Sequence, residues 1–126
     1  VELTQRVRRL YATYLQPAAS GDVPTLGARW VTNQDARWGS CTPATGEIRL
    51  SHRLQEMPDW VVDYVCVHEA AHLLERNHNG RFHALVARYP EARRAQAFLD
   101  GVDFARSRAL PPLPADQAEF QPGLDF

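Results

Sequence analysis

The sequence predicts an α+β domain in which a small antiparallel sheet packs on a central helix, with additional helices around it. Three observations lead to this class. Apolar residues recur at three- and four-residue steps near the start of the chain and again beyond residue 58, the spacing of amphipathic helices. Three short segments between Gly27 and Ser51 have strand character and are bounded by turn formers. A His-Glu-x-x-His pattern, His68 to His72, lies inside the most apolar of the helical stretches.

The elements follow in order. Val1 to Gln16 reads as an amphipathic helix, because Leu3, Val7, Leu10, Tyr11 and Tyr14 share a face while Arg6, Arg8 and Arg9 stand between them. Pro17 and Gly21 end it. Gly27 to Thr32, Ala36 to Cys41 and Glu47 to Ser51 read as strands, separated by Asn33-Gln34-Asp35 and by Pro43 to Gly46. Pro58-Asp59 opens the next helix, since Asp caps a helix and Pro fits its first turn. That helix is expected to run to about Arg76. A turn at Asn77 to Gly80 leads to a helix through Phe82, Leu85, Val86 and Tyr89, which Pro90 breaks before a last helix near Glu91 to Leu99. One domain is expected over 1–108. From 109 to 126 the chain loses periodicity and gains prolines, which predicts a loosely packed tail.

Bulk properties bound the function. The 126 residues suffice for one hydrophobic core, and 44% hydrophobic with 23% charged residues is ordinary for a soluble globular chain. A formal net charge of -1 gives no positive field for nucleic acid or anionic membrane, so no direct nucleic-acid binding is expected. The apolar run Val61 to Val67 is too short to span a bilayer and carries Asp63, and no basic-then-apolar leader precedes it. Two cysteines, Cys41 and Cys66, are too few to staple a secreted scaffold, and read as reduced thiols in a cytoplasmic protein.

The chemistry concentrates in His68-Glu69-Ala70-Ala71-His72-Leu73-Leu74-Glu75-Arg76-Asn77-His78, which holds three of the five histidines. Residues four apart on a helix share a face, so His68 and His72 can aim two imidazoles at one point. Zinc takes such nitrogens in four-coordinate geometry, with an open position in a catalytic site. Glu69 lies about 100° around the helix from His68 and can reach water at the ion without binding the ion. The reading is one zinc ion, held by His68, His72 and a third ligand, with Glu69 as the general base of peptide hydrolysis. For the third ligand the spacing favours His78, swung back by a turn at Asn77, over a carboxylate from a later helix, for which Glu91 is best placed.

With these motifs, the chain resembles the YgjP-like zinc metallopeptidases, relatives of the SprT, Spartan and Wss-type proteases. The resemblance covers about Arg29 to Leu99. It rests on Arg37-Trp38-Gly39-Ser40-Cys41, on Gly46-Glu47-Ile48-Arg49-Leu50, on Asp63-Tyr64-Val65-Cys66-Val67-His68-Glu69, and on Asn77-His78 with Arg81-Phe82. It implies a mini-zincin fold, a small antiparallel sheet over the metal-bearing helix. It also implies His68, His72 and His78 as metal ligands, Glu69 as catalytic base, and a peptide or protein substrate. The family usually has tryptophan where this chain has His83, and asparagine where it has Ser51.

Several further residues are candidates. The segment Trp38, Gly39 and Ser40 could line a substrate strand, with Trp38 itself expected in the core. Tyr64 lies one turn before His68 on its face, and His52 and His83 are candidates for orienting ligands or stabilising an oxyanion. Two other function classes compete: a zinc-stabilised binding module without catalysis, and a protease recruited to protein–DNA complexes by a partner. The intact Glu69 speaks against the first.

Overall fold

The computed structural model describes residues 2–32 and 37–109. Helix α1 (Glu2–Leu10) buries Leu3, Val7 and Leu10, one stripe at helical spacing. It continues into a wider turn over Tyr11–Leu15 and a tight turn over Gln16–Ala18, so the expected single helix to Gln16 is irregular in its last third. Strand β1 (Gly27–Val31) follows, then β2 (Gly39–Thr42) and β3 (Glu47–Ser51).

The sheet is mixed rather than antiparallel throughout, with strand order β1-β3-β2. A tight connection forces β2 and β3 antiparallel, pairing Gly39 with Leu50 and Thr42 with Glu47. Gly46 makes that connection. Its φ is +75°, and a Cβ there would stand 2.2 Å from the Thr25 carbonyl oxygen. Its own carbonyl accepts a hydrogen bond from Gly27 N–H at 3.1 Å. This bond starts β1 on the opposite edge of β3, in parallel register from Gly27–Glu47 to Val31–Ser51. The Thr4 hydroxyl ties α1 to β1, accepting from Ala28 N–H at 2.9 Å.

A short helical turn over His52–Glu56, absent from the sequence reading, leads to α2 (Asp59–Ala71). Ten of its thirteen residues are buried, so it is the central element, packed by α1, both strands of the hairpin, and the two helices that follow. Arg6 Nε binds Asp63 Oδ1 at 2.7 Å and fixes α1 on it. Helix α2 ends five residues earlier than the periodicity suggests. After Ala71 the hydrogen bonds tighten to three-residue spacing, His72 N–H to Glu69 O, Leu73 to Ala70 and Leu74 to Ala71.

Helix α3 (Gly80–Val86) buries Phe82, Leu85 and Val86 and is capped by the Asn79 side chain, which accepts from Phe82 N–H at 3.0 Å. Helix α4 (Ala92–Ala109) runs ten residues beyond the expected end at Leu99. Ala95 and Leu99 are buried, and further along Asp103 Oδ2 accepts from Trp38 Nε1 at 3.2 Å, a tertiary bond that apolar periodicity does not register. Of the expected tail over 109–126, Ala109 is the last residue of α4, and the rest lies outside the described residues. No described helix is long and apolar enough to cross a membrane.

Candidate metal centre

The last turn of α2 carries His68 and Glu69, and His72 caps its end; all three are buried, with one donor atom from each lying within 4.8 Å of the others. Four-residue spacing puts His68 and His72 on one face, their ring centroids 5.7 Å apart. Because the helix stops at Ala71, the chain can turn back immediately. His72 Nδ1 lies 3.1 Å from the Glu75 carbonyl oxygen. A carbonyl can only accept, so the proton sits on Nδ1 and the lone pair is left on Nε2, the arrangement that orients a metal-binding histidine.

The returning loop delivers His78, whose Nε2 stands 3.1 Å from His72 Nε2. The Arg81–Glu75 ion pair, at 3.7 Å, spans that loop. Two nitrogens around a tetrahedral zinc at about 2.05 Å would be about 3.3 Å apart, so this pair of imidazoles fits such an ion in kind and spacing. The Phe82 ring touches all three imidazoles, with centroids 5.0 Å from His68, 4.5 Å from His72 in a stacked pose, and 4.8 Å from His78. One apolar plate thus fixes the ring orientations.

Glu69 is fully buried, with Oε2 3.2 Å from His68 Nδ1. Across from it runs β2. A Cβ on Gly39 would lie 3.0 Å from Glu69 Cγ and 3.2 Å from Oε2, so only glycine lets the strand pass this close. Trp38 is buried beneath, under the Arg53 guanidinium at 4.1 Å, and Ser40 Oγ accepts from Arg49 Nε at 2.9 Å. Both of these side chains are engaged within the protein, and β2 forms an edge of the sheet.

The other sequence candidates fall in different places. The Tyr64 ring stands 6.0 Å from His68, and its hydroxyl donates to Gln96 Oε1. Burial, with the charges of Asp100 and Glu69, pushes its phenol up. His83 is exposed beside Phe82, at 5.6 Å between rings, and His52 is exposed at the start of the turn before α2. Glu91 accepts from Arg94 Nη1 at 2.8 Å at the foot of α4 and does not join the histidine cluster. Sequence reading missed the roles of Phe82 and Asn79 in shaping the cluster. The Asn79-Gly80-Arg81-Phe82 capping pattern was the signal for one of them.

No curated protein matches the chain, and no solved structure does. A family model does match: the YgjP-like metallopeptidase domain, over residues 3–101, a span that contains the sheet, α2, α3 and every residue of the cluster. With most of its length matched, the chain belongs to the YgjP-like metallopeptidase family.

Proposed function

We propose that this chain is a zinc-dependent peptidase in which His68, His72 and His78 hold one ion and Glu69 is the general base. The observation that carries the reading is the meeting of His72 and His78 Nε2 atoms at 3.1 Å beside His68 and a buried glutamate. A bound ion would supply a Lewis acid that acidifies water and polarises a carbonyl. The residues do the rest. His72 is held in one tautomer by the Glu75 carbonyl, and Phe82 keeps the three rings in place. Glu69 Oε2 takes a proton from the attacking water and passes it to the departing amine. Burial of Glu69 under Gly39 keeps its carboxylate from turning away. The edge strand β2 is suited to receive an extended peptide, main chain to main chain, with Trp38, Gly39 and Ser40 as its support.

Metal stoichiometry and peptide-library cleavage, measured together on wild type, Glu69→Gln, His78→Ala, Glu91→Ala and His83→Ala, test this. Metal and cleavage are expected in wild type, metal without cleavage in Glu69→Gln, and loss of metal in His78→Ala alone. Loss in Glu91→Ala instead would make the third ligand a carboxylate, and loss only in His83→Ala would overturn the ligand set. Metal without cleavage in wild type would make the chain a zinc-stabilised binding module.

A further inference from the structure

A groove between α2, α3 and α4 opens directly on His68. It is a wide-open groove of about 520 Å³, a size within the range of sites that take small ligands or side chains. Tyr64 and His68 of α2, Phe82 and Val86 of α3, and Ala92 and Ala97 of α4 are among the residues that line it. Phe82 therefore faces two ways. The nearly buried ring that packs on the three imidazoles also contributes to the lining of the groove.

Three polar side chains of the groove are already matched to one another. The Tyr64 hydroxyl donates to Gln96 Oε1, and Gln96 Nε2 donates to Asp100 Oδ1 at 2.8 Å. An apolar guest against these three side chains breaks neither bond. Arg93 and Asp100 bring opposite charges to the lining, which also holds the exposed His83.

Resting on the peptidase reading above, we infer that this groove is a specificity pocket. It takes a large apolar side chain, of leucine or phenylalanine type, from one of the two residues flanking the scissile bond. Continuity with His68 fixes the occupant as part of the substrate, because whatever fills the groove lies against a proposed ligand of the ion.

The test uses peptides differing only at each flanking position, leucine against glycine, on wild type, Ala97→Trp and Ala97→Glu. Residue 97 is exposed on α4 and lines the groove, so both changes intrude on it. At one flanking position leucine is expected to raise kcat/KM at least about tenfold. Both variants should bring the leucine-to-glycine ratio of kcat/KM to about one while keeping their metal. A second readout needs no turnover: fluorescence anisotropy of the labelled peptides on Glu69→Gln protein, where the leucine peptide should bind more tightly until Ala97 is replaced. No preference at either position, or one that survives both variants, overturns the pocket. A wild-type protein that cleaves nothing yet keeps the anisotropy preference overturns the peptidase reading and leaves the pocket standing.

Discussion

A Cβ on Gly39 would stand 3.0 Å from both Glu69 Cγ and the Arg49 carbonyl oxygen, one movable neighbour and one fixed by the sheet. Gly39→Ala should therefore displace the Glu69 side chain, at a cost of about 1–3 kcal/mol for overpacking. Hydrolysis is expected to fall while metal content holds, read by metal analysis beside peptide turnover; full turnover would show that Glu69 has room to spare. Glu69→Gln keeps the shape and removes the proton acceptor, so turnover should drop by about 10²–10⁴-fold with thermal stability little changed. The histidine cluster was legible at this scale because helical spacing alone brings His68 and His72 together. Gly39 was legible only as a member of a motif. Its contact with Glu69 joins residues thirty apart, which no local pattern encodes.

Among the elements, the loop from His72 to Asn79 carries the most consequence per residue. It begins where α2 tightens, is tied by the Glu75 carbonyl and the Arg81–Glu75 pair, and ends at the Asn79 cap one residue after His78. Asn79→Ala should cost about 1 kcal/mol through loss of the cap. Because the cap anchors the segment that presents His78, metal affinity should also fall, and Asn79→Asp should restore both. Urea denaturation and metal titration on the two variants check this; unchanged affinity in Asn79→Ala would mean that His78 is positioned by Phe82 and Glu75 alone. Apolar periodicity continues past Ala71 through Leu73 and Leu74, which is why sequence reading overran the helix. The bond from His72 Nδ1 to the Glu75 carbonyl is what the pattern omits. The parallel pairing of β1 was hidden for a related reason. Alternation marks a strand but not its neighbour, and here the neighbour is chosen by Gly46 and Thr4.

At the scale of the whole molecule, the core holds several weak acids in their protonated forms. Burial pushes the Cys66 thiol and the Tyr89 phenol up to about 12, and raises Tyr64 and Tyr11 as well. In the unfolded chain the same groups ionise near about 8.5 for cysteine and about 10 for tyrosine. As pH rises the unfolded chain thus releases protons first and binds fewer than the folded one, so stability must fall with pH. The contribution is complete below about pH 8.5 and is lost as pH climbs towards the folded values near 12. The urea midpoint should hold to about pH 8 and then decline progressively to pH 11. Tyr89→Phe separates this linkage from general alkaline damage. It removes the hydroxyl that donates to the Trp60 carbonyl at 2.9 Å, which lowers stability by about 1 kcal/mol at neutral pH, and it also removes one of the titrating groups. Its midpoint should therefore start lower and decline less steeply than wild type. Parallel slopes in the two proteins would show that Tyr89 ionises in the folded state as readily as in the unfolded chain.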